Sequence, residues 1–488
     1  MSTSTLPAPT ATAGRHRTLA TAVLIFAAFM DLIDVTIVNV ALPSIRTDLG
    51  ASPAHLEWVL SAYLLAFAVL LVTGGRLGDI YGRRRVFVTG VAGFTLFSLA
   101  AALAPTGGVL VATRAGQGVF AALMVPQLLS SIQVMYRPKE RAAVFGAVGA
   151  VSGMAAVVGP LLGGWLVTAD LWGTGWRSIF AINIPVGIAI AFAALAFVPD
   201  STSDRPLRLD WPGVALATTG LLLLVFPLVQ GRERGWPWWI WAMFVASAVV
   251  LALFARYQVA RERRDGSSLL PMRLFANRGY TAGLIVQSSF QGSMAGLALM
   301  VTVYVQTALG FSAMAAGLTF LPFSIGALLG TAVAVPLGVR LGRTIVLAGG
   351  LIQAGGAWWL SRIVVRAGPE LSGWDLVPAF VVTGIGLALV VVPLVDIALA
   401  TVPPADAGAA SGAYSTMQQT GAALGVAVTG VVFFGTVGTD FSQARLEEAL
   451  SAGSWVPVIG YLVCAVATLL LPSRAQVRAK VSAATEPA

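Results

Sequence analysis

Among 488 residues there are one cysteine, two histidines and two lysines, and only 10% of the residues are charged. A lone cysteine, Cys464, excludes a disulfide framework and a cysteine-based metal site. The histidines, His16 and His55, lie near the ends of apolar runs, so histidine chemistry and metal ligation have no basis. No metal, no cofactor and no enzymatic site is expected. So little charge also excludes an ordinary soluble surface. Apolar residues make up 57% of the chain and mean hydropathy is +0.85, so most of the surface must face lipid. The net charge of +9 sits in short clusters between apolar runs. That pattern fits anionic headgroups rather than nucleic acid.

What is present is a series of fourteen apolar runs, from 18–43 and 55–75 to 407–436 and 454–472. Each is long enough, at 1.5 Å per residue, to cross a core of about 30 Å. The expected fold is an all-α integral membrane protein. Residues 1–17 read as a cytoplasmic disordered tail and 474–488 as a second tail. The first run lacks a small-residue cleavage pattern and reads as a retained helix. Arginine and lysine distribute 22 to seven between the two sides if both termini are cytoplasmic, with Arg114 inside a span. That bias orients the chain N-in/C-in. Arginine outnumbers lysine 28 to 2, a composition of GC-rich bacteria, so a bacterial inner membrane is the expected location.

LGDIYGR (77–83) and LGVRLGR (337–343) share Leu, Gly, Gly and Arg in register 260 positions apart. The repeat divides the chain into six-helix bundles at 18–200 and 279–473, with an inserted two-helix linker at 201–278. Internal repeats of this kind underlie rocking transporters.

Carboxylates in hydrocarbon are costly and usually functional. Asp31 and Asp34 share roughly one face of the first span, and Asp34 lies about 24 Å along it. Arg114 enters the fourth span from the other side, about 10 Å deep, so an Asp34–Arg114 contact is geometrically allowed. It reads either as a structural ion pair or as a switch, because burial favours the neutral acid and a nearby arginine the anion. In GRLGDIYGRRR (75–85), Gly75, Gly78 and Gly82 permit a tight turn, and Asp79, Arg83 and Arg84 supply charge. This segment is an orientation signal or a conformational gate. The fifth span carries Gly149, Gly153, Gly159, Pro160, Gly163 and Gly164, suited to close helix contact. Asp396 is a second titratable site or a snorkelling group. Gln287, Gln291, Gln418 and Gln419 line a cavity or bond between helices.

With these residues assembled, the chain resembles the major facilitator superfamily, specifically its fourteen-helix drug:proton antiporter branch. DVTIVNVALP (34–43), GRLGDIYGRRR (75–85), LVATRAGQG (110–118), GMAAVVGPLLGGWL (153–166), GWRSIFAINIPVG (175–187) and LLPMRLFANR (269–278) carry the resemblance. It implies proton coupling through Asp34, Asp31 and Arg114, gating through Asp79, and an antiport-linked packing role for Gly159 and Pro160. It also implies a cavity between the halves that includes Asp31 and Asp396, with Asn39, Gln117, Gln287 and Gln291 as candidate substrate or cation contacts. The tenth span has no acidic residue, unlike relatives that use one for divalent cationic drugs, and Val339 stands where the first loop has Asp79. The expected activity is proton-coupled efflux of hydrophobic or cationic drugs, antibiotics or metabolites by a monomer. Protons, a small hydrophobic substrate and membrane lipids are its partners. Rivals are a dedicated exporter of one self-made metabolite, a lipid or siderophore exporter, and a membrane-embedded enzyme. A periplasmic adaptor has no obvious platform on the short external loops.

Overall fold

The computed structural model describes residues 11–136, 138–203, 208–399, 402 and 407–472; within some helices the side chains are not described. The described residues form helices and short connections, with no strand among them. In chain order the helices are α1 (Ala11–Leu49), α2 (Pro53–Tyr81), α3 (Arg83–Ala102), α4 (Gly107–Met135), α5 (Pro138–Ala169), α6 (Ser178–Ala181), α7 (Asn183–Phe197), α8 (Trp211–Gln230) and α9 (Trp238–Asp265). They continue with α10 (Arg278–Thr307), α11 (Ala313–Thr319), α12 (Leu321–Leu341), α13 (Arg343–Ala367), α14 (Gly373–Leu399), α15 (Ala407–Val437), α16 (Gln443–Gly453) and α17 (Trp455–Ala467). Thirteen stretches are long and apolar enough to cross a membrane. The 32-residue α5 adds a fourteenth span-length helix, apolar over Val158–Ala169.

Two boundaries differ from the sequence reading. Helix α1 starts at Ala11, inside the segment expected to be a tail, and Arg17 pairs with Glu140 at 3.0 Å. The last span begins at Gln443 rather than near 454, because α16 is amphipathic. Its sequence QARLEEALSAG fails any test of mean hydropathy. Leu446, Ala449, Leu450 and Gly453 nevertheless lie buried on one helical stripe. Residues 1–10 and 473–488 lie outside the described residues.

Helices α1–α7 pack on one another, as do α10–α17, and α8 and α9 pair with each other, α8 contacting α2 and α15. Small residues make these approaches close, because lipid-embedded helices gain from packing rather than from water exclusion. Where α2 crosses α4, a Cβ on Gly118 would meet the Tyr63 carbonyl at 2.3 Å. Gly118→Leu should therefore force α2 and α4 apart and cost about 1–3 kcal/mol. Thermal unfolding in detergent measures this, and an unchanged Tm would refute the packing account.

The internal repeat is physical. Gly82 and Gly342 each end one helix and begin the next with positive φ, +100° and +57°. Each amide donates to the glycine carbonyl four residues earlier, Gly78 or Gly338. The following arginine then clasps the chain beyond α7 or α17. Arg83 donates to Ser201 Oγ at 3.2 Å, and Arg343 to the Leu469 and Leu471 carbonyls at 2.8 Å.

The end of the bundle holding these turns is termed the basic end. It carries Arg83, Arg84 and Arg85 from the turn and Arg263 and Arg264 from α9. There Arg76 reaches the carbonyls of Arg208, Ser267 and Ser268, binding the inserted pair to α2.

Candidate functional site

Five helices converge on Asp34, which is fully buried within α1. Its partner is Arg114 of α4, 1% exposed, whose Nη1 donates to Asp34 Oδ2. The guanidinium also donates from Nε to the Val59 carbonyl of α2 at 3.2 Å and from Nη1 to Gln117 Oε1 at 2.8 Å. On the other carboxylate oxygen, Asn183 of α7 donates at 2.8 Å and Gln117 at 3.3 Å. Ser98 of α3 accepts from Gln117 at 2.8 Å and from Asn183 at 3.3 Å, which closes the network. A buried ion pair is costly unless further hydrogen bonds support it, and here both Asp34 oxygens and the Arg114 Nε and Nη1 have partners.

One helical turn earlier, Asp31 (3% exposed) accepts a hydrogen bond from Tyr63 of α2. Arg114 lies over the Tyr63 ring, 4.4 Å from its centroid. The two carboxylates are therefore joined through one arginine and one phenol.

Sequence reasoning found Asp31, Asp34 and Arg114 but missed Tyr63, Ser98 and Asn183. Asn183 sits inside the quoted segment GWRSIFAINIPVG (175–187), the only signal that pointed to it. Gln117, a candidate substrate or cation contact, is part of the Asp34 network. Asn39 is half-buried and donates to the Val35 carbonyl on its own helix at 3.3 Å. In the second half, Gln287 accepts from the Tyr414 hydroxyl at 2.7 Å, and Gln291 is half-buried. Asp396 is exposed on α14 and has no hydrogen bond or ion pair among the described residues. None of Asn39, Asp396, Gln287 and Gln291 joins the Asp34 network.

The fifth-helix glycines pack α5 against α1 and, at Gly164, against α11 of the second half. A Cβ on Gly159 would meet Thr36 Oγ1 at 1.9 Å, and one on Gly163 would meet Ile37 at 2.6 Å, both on α1. A Cβ on Gly164 would meet the Ala313 carbonyl at 2.6 Å, while Gly317 lies against the Pro160 carbonyl. Gly153 lies outside the described side chains. At the end opposite the basic one, Gln306 of α10 donates to the Val40 carbonyl at 2.7 Å and Arg46 covers the Phe441 ring at 3.3 Å. The two halves are thus closed together at that end.

A second buried ion pair lies in the same closure. Glu57 of α2 is fully buried, 3.4 Å from Arg232 in the α8–α9 turn. Arg232 also donates to the Gly430 carbonyl of α15 at 2.9 Å, and Glu233 accepts from the Ala54 amide at 3.1 Å. Glu57 Oε2 and Arg232 Nη2 are buried without a hydrogen bond. First half, inserted pair and second half meet at this point.

At the basic end, Asp79 pairs with Arg83 at 2.7 Å and its carbonyl accepts from the Ser203 amide. Asp200 faces Arg84 at 3.9 Å and Arg85 at 3.4 Å. Gly82 leaves room for the Asp200 carboxylate, Gly78 for Gln127, and Gly75 is in ordinary contact with Pro126. Among the described residues, no group of three or more His, Cys, Asp or Glu could hold a metal ion.

The sequence profile described as Major Facilitator Superfamily matches residues 24–426. A probable actinorhodin transporter of Streptomyces coelicolor is 43% identical over 451 residues, covering 90% of this chain and 78% of that protein. The tetracenomycin C resistance and export protein of Streptomyces glaucescens is 34% identical over 424 residues, covering 86% and 77%. Among solved structures, a bacterial homologue of the human lysosomal transporter Spinster, inward-facing and unoccupied, superposes with a TM-score of 0.66 at 16% identity. That match covers 97% of this chain and 99% of the other, and it speaks to the fold alone.

Proposed function

Because the chain belongs to the Major Facilitator Superfamily, we propose that it is a proton-driven exporter of small hydrophobic or cationic antibiotics and metabolites, working by alternating access. It is a multi-pass membrane transporter, not an enzyme. The observation that carries the coupling is the buried Asp34–Arg114 pair, held by Gln117, Asn183 and Ser98. Protonation of Asp34 removes the anion that Arg114 grips and releases the α1–α4 contact. The arginine then turns to Asp31, which Tyr63 already holds beside it. In this reading both termini are cytoplasmic, the basic end faces inward and the closed end faces out. The Asp79 turn acts as the inner gate, and the glycines of α5 as the outer closure. For a neutral substrate a proton descending 100 mV contributes about 2.3 kcal/mol, whereas one-for-one exchange with a monovalent cation moves no net charge and is driven by the pH gradient alone. Inverted vesicles containing the pump should accumulate a fluorescent cationic dye under an acid interior and lose it on adding a protonophore. Accumulation indifferent to the protonophore would sink proton drive.

Export of one self-made metabolite is a second reading. It is favoured by relatives whose names assign each a single antibiotic, including the cephamycin export protein of Amycolatopsis lactamdurans, 38% identical over 456 residues. Competition by several unrelated dyes for one transport activity would count against it.

A further inference from the structure

Helix α9 shows one exposed face along its whole length. From the end opposite the basic one, Trp238, Trp241, Val245, Val249 and Leu253 are all exposed, spaced three or four residues apart. Such a stripe on a spanning helix faces hydrocarbon. The same spacing continues to Arg256 and Arg263, which are also exposed. Neither arginine has an ion pair or hydrogen bond among the described residues, whereas Glu262 on an adjacent face is taken by Arg273 at 2.5 Å. Indole rings anchor at the membrane interface. Arg256 lies 18 residues beyond Trp238, about 27 Å along the helix, which is one hydrocarbon thickness. The stripe therefore runs from one headgroup layer to the other and turns cationic on arrival. Beside it lies a groove of about 410 Å³, lined by Ala255, Arg256, Val259, Ala260, Arg263 and Met272. Met272 begins the connector that leads from the inserted pair into α10.

We infer that this groove binds an anionic phospholipid. The phosphate sits between Arg256 and Arg263, about 10 Å apart on one face. Ala255, Val259 and Met272 provide the apolar wall, and an acyl chain lies along Leu253 and Val249. Arginines serving only as orientation signals need no apolar wall and no register with the lipid-facing stripe. These have both. The lipid would bridge α9 to the start of the second half, alongside the Arg273–Glu262 pair. The site is separate from the Asp34 network and independent of what is transported.

Native mass spectrometry of the full-length protein tests this, with phosphatidylglycerol and phosphatidylcholine offered in equal amounts. Wild type should retain phosphatidylglycerol preferentially. At about a factor of five per arginine, Arg256→Gln and Arg263→Gln together should weaken retention about 30-fold. Each single substitution should weaken it about fivefold, which keeps the test usable if the double variant fails to fold. Arg445→Gln, altering a residue paired with Glu448 elsewhere, should leave retention unchanged. Equal retention of phosphatidylcholine, or undiminished retention by both single variants, would overturn the inference. Displacement of the lipid by millimolar inorganic phosphate alone would also overturn it, since that marks a simple anion site.

Discussion

Asp34→Asn should reduce pH-gradient-driven transport to the level left by a protonophore, while substrate exchange without a gradient persists. Asparagine keeps an oxygen for Arg114 and fits among Gln117 and Asn183, but it cannot take up or release a proton. The guanidinium, 1% exposed, loses its anion inside a low-dielectric site. Breaking such a pair costs about 3–5 kcal/mol, and the neighbouring Asp31 should hold the loss near the lower figure. Asp34→Asn with Arg114→Gln removes the stranded charge, so it should recover stability and not coupling. Thermal unfolding and vesicle transport, measured on the same three proteins, separate the roles. If Asp34→Asn were unstable but fully driven by the gradient, the pair would be structural and the coupling assignment wrong.

Arg232→Met should have the second largest effect, on both stability and conformation. It strands Glu57, fully buried, with no cation and one oxygen already unpaired. The cost is again about 3–5 kcal/mol, and Glu57→Gln in the same chain should restore most of it. The substitution also frees the Gly430 carbonyl and so loosens α15 from the inserted pair. A hydrogen bond to a charged donor contributes about 1.5–3 kcal/mol, so the closed end should open at least about tenfold more often. Gln306→Cys reports this through its reaction with a membrane-impermeant maleimide, because the native Cys464 is wholly buried. An unchanged labelling rate would show that Arg232 holds the hairpin in place without holding the closure.

Charge decided what was legible in the sequence. Asp31, Asp34 and Arg114 stood out because ionised groups in hydrocarbon are costly and seldom accidental. Tyr63, Ser98 and Asn183 are uncharged, cost little in a helix and give no pattern until α2, α3 and α7 are folded around α1. Glu57 was overlooked because it lies within the first turns of its span, where a carboxylate passes for an interfacial residue. Its partner is 175 residues away in a turn. The apolar runs gave the spans, but they hid α16, whose buried stripe lies on an otherwise polar helix. The glycine–arginine repeat was visible as spelling. Its meaning, an arginine locking the exit from each half, depends on where the chain returns after α7 and α17.

The Arg76 clasp has a consequence for cutting the chain. Its guanidinium ties α2 to backbone carbonyls on both sides of the α8–α9 pair, at Arg208 and at Ser267 and Ser268. The hairpin is therefore cargo of the N-terminal fragment. Two separately expressed pieces divided near Asn277 would each retain their own clasps and should reassemble. A division near residues 204–207 would sever the hairpin from α2 and leave the N-terminal piece with an unsatisfied arginine at its membrane surface.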